Sequence, residues 1–215
     1  MNPKKNREIL KKLKKKFPLE QIFLHYQNQW ELLVATILSA QCTDARVNVV
    51  TKKLFKKYKK LKDFAGAMPR EFEKDIYSTG FYRNKTKNIL ASAKKIEKEF
   101  NGQVPQTMEE LLSLPGVARK TANIVLSLGF GKIEGIAVDT HVKRLSFRLG
   151  FTKHINPNKV EQDLMQLVPQ KEWAWINSAL IEHGRQTCTA QNPTCPDCFL
   201  KKSCPSAFSF ERKKA

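Results

Sequence analysis

The sequence predicts an all-α protein, and three observations carry that expectation. Apolar residues recur at helical spacing along most of the 215 residues, several periodic segments begin with helix-start signatures, and no stretch alternates convincingly as a half-buried strand would. Helices are expected near 4–16, 28–41, 44–59, 69–77, 84–100, 107–113, 118–129, 140–149, 157–167 and 171–183. In the first, Ile9, Leu10, Leu13 and Phe17 mark one apolar stripe on a basic helix, which reads as a core-docked helix with its lysines in water. The lysines of 52–62 read mainly as a solvated helix face. Thr107 and Glu110 form a capping-box signature, because each side chain can satisfy a free amide at the helix start. Pro115 should end that helix, and Gly116 permits the tight reversal into the next. Asn156-Pro157 places a cap residue before a proline suited to the first helical position. Gly184 follows WAWINSALIEH where a left-handed residue would end a helix. No proline-rich linker divides the chain, so two domains, if present, should share helices and pack closely.

Composition narrows the partner. Lys and Arg number 39 against 20 acidic residues, a formal charge of +19, and 41% hydrophobic content permits a real core. Self-repulsion at such a charge is relieved by a polyanion, so nucleic acid is the expected partner and an anionic membrane surface the rival. No stretch approaches the roughly 20 apolar residues of a spanning helix. The segment MNPKKNREILKKLKKKFP has neither the apolar run of a signal peptide nor the serines of a transit sequence. The expectation is a cytoplasmic, nucleoid-associated protein that avoids membranes.

Four of the five cysteines, Cys188, Cys195, Cys198 and Cys204, stand as C-x6-C-x2-C-x5-C. The polar, proline-bearing segment between them cannot form a core alone and needs a tie. Disulfides, a four-cysteine zinc site and a four-cysteine iron–sulfur cluster are all chemically available. Nothing looks secreted, which disfavours disulfides. All-cysteine zinc sites tend to use two close pairs, whereas only Cys195 and Cys198 form one here. A bulkier cube suits unequal spacings, with Pro196 and Pro205 directly after two of the ligand candidates. From spacing alone a metal is expected and its identity stays open. Cys42, far from this run, reads as a small buried residue.

The segment LSLPGVARKTANIVLSLG, residues 112–129, reads as two helices about a proline–glycine turn. The first amides of the second helix lie at the positive end of its dipole, an arrangement that holds a phosphate without reading sequence. An ordinary helix–turn–helix corner is the plain alternative.

LPGVARKTANIVL resembles the helix–hairpin–helix of the base-excision DNA glycosylases. AVDTHVKR at 137–144, LIEHGRQTC with the cysteine run, LLVATILSAQCTD near 32–44 and GFYRNKTKNI at 80–89 match in the same order. Together they resemble the endonuclease III family, bifunctional glycosylases and abasic-site lyases for oxidised pyrimidines. The resemblance implies a helix–hairpin–helix glycosylase fold of two helical domains with a DNA groove between them. One domain would span 22–133 and end in the hairpin at about 107–129; the other would join 1–21 to 134–215. It also implies a [4Fe–4S] cluster on Cys188, Cys195, Cys198 and Cys204 in a loop at 188–204, ordering a basic segment.

By the same resemblance Lys120 is the nucleophile, in the first turn of its helix, where the dipole and Arg119 place positive potential. Asp139 would face the reacting sugar and stabilise its developing charge; its plain reading is a helix N-cap, and both can hold together. His141 reads as packed or phosphate-facing rather than as a base. Gln41 and Phe81 would fill the gap left by an extruded nucleotide. Phe81 departs from the aliphatic residue expected there, and Ala118 stands where the hairpin usually has a second glycine. Leu114, Gly116, Ala118 and Arg119 would face DNA along the hairpin, and Lys201 and Lys202 would offer charge to a phosphate. The implied partner is double-stranded DNA carrying oxidised pyrimidines or abasic sites, met by a monomer. Two other readings stand beside this one. An adenine-mismatch glycosylase shares hairpin and cluster, but carries a general-acid glutamate where LLVATIL, residues 32–38, has no carboxylate, and a large C-terminal domain absent from this sequence. A non-catalytic, metal-dependent DNA-binding protein would need neither Lys120 nor Asp139.

Overall fold

The computed structural model describes residues 3–210, which are helical with no strand. The helices are α1 (Pro3–Lys16), α2 (Gln29–Leu38), α3 (Asp44–Lys57), α4 (Leu61–Ala65), α5 (Pro69–Ile76), α6 (Tyr82–Glu99), α7 (Met108–Leu112), α8 (Arg119–Ile124), α9 (Thr140–Arg148), α10 (Pro157–Leu167) and α11 (Trp173–Gln186). Short 3-10 turns lie at Tyr77–Thr79, Gln170–Glu172 and Cys195–Asp197. Among the described residues no helix is long and apolar enough to cross a membrane.

The chain forms two compact units. One runs Ile22–Glu134; the other joins the N-terminal segment through Gln21 to the chain from Gly135 onward. The first is built around α2, whose residues from Trp30 to Leu38 are all buried. Asn28 caps it by accepting from the Glu31 amide at 2.9 Å. The helix ends at Leu38 rather than near 41, because Ser39 closes it and Gln41 adopts a left-handed backbone, φ 53°. The short α4 lacks enough turns to show a period in sequence. It forms because Phe64, 1% exposed, packs edge-on to Trp30 at 5.2 Å and against Tyr58 and Phe72. Burying such a ring contributes roughly 2–3 kcal/mol, enough to hold five residues helical. The expected helix at 118–129 is α-helical only through Ile124 and continues as a π-helical turn over Val125–Gly129. There the Leu128 and Gly129 carbonyls accept from Tyr26 Oη at 3.2 Å and Gln29 Nε2 at 3.0 Å.

In the second unit α1 docks as its stripe predicts, with Ile9 and Leu13 fully buried. Trp175 Nε1 donates to Phe17 O at 2.6 Å, and Lys14 Nζ lies 4.2 Å from the centre of the Trp175 ring. Gly184 does not end a helix. It sits inside α11, where a Cβ would stand 2.8 Å from His141 Nδ1 and 2.9 Å from Arg144 Nη2. A larger residue there would press on the side-chain ends of His141 and Arg144 of α9 and force both to shift.

Candidate functional site

In the first unit one helix, α6, supports the turn that precedes Lys120. The hairpin runs from α7 through a turn into α8. Thr107 Oγ1 accepts from the Glu110 amide at 3.3 Å, which is half of the expected capping box; the Glu110 carboxylate accepts from the Thr107 hydroxyl at 2.8 Å. Gly116 adopts φ 77°, and a Cβ there would meet the Asn88 side chain at 2.6 Å. Both conformation and space therefore demand glycine. Ser92 Oγ donates to Pro115 O at 2.8 Å and Lys95 Nζ to Ser113 O at 3.0 Å. Asn88, Ser92 and Lys95 share one face of α6, so this helix fixes the turn.

Ala118 caps α8 at φ −102° and ψ 169°, with no side-chain hydrogen bond to the first turn. That backbone suits any residue, so alanine in place of the second glycine introduces no strain. The first bond of the helix runs from the Ala122 amide to Ala118 O at 3.0 Å. Lys120 lies half-buried in that first turn, and Gly116, Ala118 and Arg119 are exposed. Leu114 differs from its hairpin neighbours: its side chain is 2% exposed in the core, and its backbone amide and carbonyl bond Leu111 and Val117 within the turn.

Gln41 and Phe81 are exposed, and both have left-handed backbones, φ 53° and 47°. Phe81 is the N-cap of α6, flanked by a Tyr77–Tyr82 ring pair 4.8 Å apart. Lys85, which the sequence reading passed over, is 4% exposed and donates to Leu38 O and Thr79 O, each at 2.8 Å. Burial lowers its pKa, opposed in part by the neighbouring Cys42. A signal was available: Lys85, Ile89, Ser92 and Ile96 form the buried stripe of α6, and a lysine there is out of pattern. Cys42 is half-buried against the core of this unit.

The second unit holds Asp139 and the cysteines. Asp139 is the N-cap of α9, its carboxylate accepting from the Val142 amide at 2.7 Å. His141 is half-buried, with Nδ1 3.2 Å from Arg144 Nη2. Cys188, Cys195, Cys198 and Cys204 carry no disulfide and line one cavity together with Arg148 and His183. The loop is held from α9: Arg144 Nε and Nη2 donate to Cys188 O, and Arg148 donates to Thr189 O at 2.7 Å and Ala190 O at 2.8 Å. Two sulfurs already meet donors, Cys188 Sγ from Arg148 Nη1 and Cys198 Sγ from the Leu200 amide, each at 3.4 Å. Burial pushes the Cys198 and Cys204 thiols up and His183 down to about 4. Buried thiolates therefore need a cationic centre, which iron or zinc would supply.

Among the described residues no three His, Cys, Asp or Glu side chains converge closely enough to hold a single metal ion. One zinc would need sulfurs about 2.3 Å from a common point, whereas a cube takes each cysteine on a separate iron. The four thiols line one cavity, and their chemistry suits a group that iron or zinc would supply. Lys201 and Lys202 are exposed on this loop, and Lys201 Nζ also reaches Pro196 O.

Residues 34–170 match the HhH-GPD superfamily of base excision DNA repair proteins. The chain is 54% identical over 209 residues to the endonuclease III of Synechocystis sp., covering 96% of this chain and 95% of that protein. It is 44% identical over 214 residues to the endonuclease III of Bacillus subtilis, covering 99% and 97%. A solved structure of a trapped endonuclease III–DNA covalent intermediate, an estranged-adenine complex, superposes with a TM-score of 0.93 at 44% identity, covering 97% of this chain and 98% of that one.

Proposed function

The chain belongs to the endonuclease III family of the HhH-GPD superfamily, and on that premise we propose that it removes oxidised pyrimidines from duplex DNA with Lys120 as nucleophile. The family activity, DNA glycosylase and abasic-site lyase on damaged DNA, is this chain's activity. The observation that carries the residue assignment is the position of Lys120 in the first turn of α8, immediately after the Gly116 reversal. A relative solved as a covalent intermediate with DNA supports an enzyme-borne nucleophile.

The neutral Lys120 amine attacks C1′ of the damaged nucleotide. A C–N bond forms as the glycosidic bond breaks, and the base leaves with the bonding pair and takes up a proton. Ring opening then breaks the C1′–O4′ bond, O4′ keeps the pair and takes a proton from solvent, and nitrogen forms a protonated Schiff base. Loss of a C2′ proton then expels the 3′ phosphate from C3′ by β-elimination, and water hydrolyses the imine to free the lysine. Asp139 supplies negative charge to the cationic, oxocarbenium-like sugar while keeping its cap of α9. The amides opening α8 and the side chain of Arg119 would face backbone phosphate. Leu114 would contribute only by shaping the turn from within.

Cys188, Cys195, Cys198 and Cys204 would hold a [4Fe–4S] cluster whose bound charge lets buried thiolates persist and orders the loop presenting Lys201 and Lys202. All steps of the sugar chemistry use protein side chains. The enzyme would act as a monomer.

Borohydride provides the test. With wild-type protein it should reduce the Schiff base and lock protein to DNA carrying an oxidised pyrimidine or abasic site. Lys120→Ala should abolish both adduct and β-elimination product while retaining DNA binding, because it removes one cation of 39. Excision of damaged pyrimidine by wild type with no trapped adduct would remove Lys120 from this role. Release of adenine from a mismatch in preference to oxidised pyrimidine would favour the adenine-mismatch reading.

A further inference from the structure

We propose that Lys85 is a positioning residue that holds the Gln41 and Phe81 turns in one register, so that both side chains enter the same gap in the duplex. The inference rests on the gap-filling reading of those two residues. It starts from the cost of the arrangement. An ammonium 4% exposed has given up nearly all of its water, and its hydrogen-bond acceptors are two backbone carbonyls, with no carboxylate among them. Methionine would fill the same volume without that cost, so core packing alone does not account for the charge.

The acceptors explain it. Leu38 is the last residue of α2 and Thr79 the last of the 3-10 turn Tyr77–Thr79, so each carbonyl is one that its own element leaves without a partner. Gln41 follows the first by three residues and Phe81 the second by two. Both are exposed and hold φ values of 53° and 47°. Left-handed backbone at a non-glycine residue persists only where its surroundings over-determine it. Lys85 supplies that constraint to both turns from the first turn of α6, the helix that Phe81 itself caps. The same helix face, through Asn88, Ser92 and Lys95, supports the hairpin turn before Lys120. The two gap-filling turns are thereby referenced to the element that carries the nucleophile.

The test compares single-turnover rates of Lys85→Met, Lys85→Gln and Lys85→Arg on two duplexes, one with a base-paired thymine glycol and one with a preformed abasic site. Misplacing a reacting group by an ångström can cost about a hundredfold, so Lys85→Met should slow the base-paired lesion by roughly ten- to a hundredfold. Abasic-site cleavage, which has no base to extrude, should fall by no more than about threefold. Lys85→Arg, which keeps charge and donors, should restore most of the selective loss. In a double-mutant cycle Lys85→Met should add almost nothing to the combined Gln41→Ala and Phe81→Ala variant, because it acts through those two side chains.

Equal losses on both duplexes, or additive losses in the cycle, would overturn the positioning role and leave Lys85 a fold determinant. If Lys85→Met does not fold, Lys85→Gln, with two N–H donors on a shorter stem, carries the same comparison. A folded Lys85→Gln matching wild type on both duplexes overturns the proposal, as does failure of all three variants to fold. Failure of the underlying reading looks different: Phe81→Ala and Gln41→Ala would then leave the base-paired lesion unaffected whatever Lys85 does.

Discussion

At Asp139 two functions rest on one carboxylate, and substitution can separate them. As N-cap it accepts from the Val142 amide at 2.7 Å, a bond that asparagine can also make. As proposed catalytic group it must be negative, which asparagine cannot be. Asp139→Asn should therefore keep the thermal midpoint close to wild type while slowing base excision. Asp139→Ala should lose the excision rate and also about 1 kcal/mol of stability. The two readouts are a melting curve and single-turnover excision; an active, stable Asp139→Asn would leave the residue as a cap only. Gly116 was readable from sequence because a proline–glycine turn has a backbone requirement. Its second reason, the Asn88 side chain 2.6 Å from where a Cβ would stand, was not readable. Lys85 is legible in the sequence only as a lysine on the apolar stripe of α6; its two acceptors, at Leu38 and Thr79, come from other elements and are not.

Among the elements, the cysteine loop depends most on something outside its own packing. Its segment is polar, and its ties are the two arginines of α9, the Thr194 amide to Thr187 O at 3.0 Å, and contacts with α1 through Lys12 and Ser203 at 2.7 Å. Purified protein is expected to be yellow-brown with about four irons per chain, as a cube on four cysteines requires. Cys188→Ser, Cys195→Ser, Cys198→Ser or Cys204→Ser should each lose colour and soluble yield. Metal analysis after anaerobic preparation checks this, and stoichiometric zinc would reject the cluster. Helix ends were the least legible feature at this scale. α11 continues through Gly184 because α9 crosses it there, and α8 passes into a π-helical turn where Tyr26 and Gln29 take its carbonyls. Those partners are distant in sequence, so no local signal marks them.

Across the whole molecule the formal charge of +19 acts as a field rather than as individual contacts. Binding to undamaged duplex should weaken steeply with salt, by about 10³-fold or more between 50 and 200 mM for six to ten neutralised phosphates. A slope of log K against log salt near zero, from fluorescence anisotropy, would mean that the charge serves another purpose. The all-helical class, the hairpin, the four-cysteine loop and the basic surface were determined by the sequence itself, because helical period, turn residues, ligand spacing and net charge are local or additive properties. The tertiary structure decided which glycines stand at close crossings, which lysine is buried, and where α2, α8 and α11 end. Each of these depends on which side chain from elsewhere in the chain occupies the adjacent space. Position along the sequence does not encode that adjacency, and packing does.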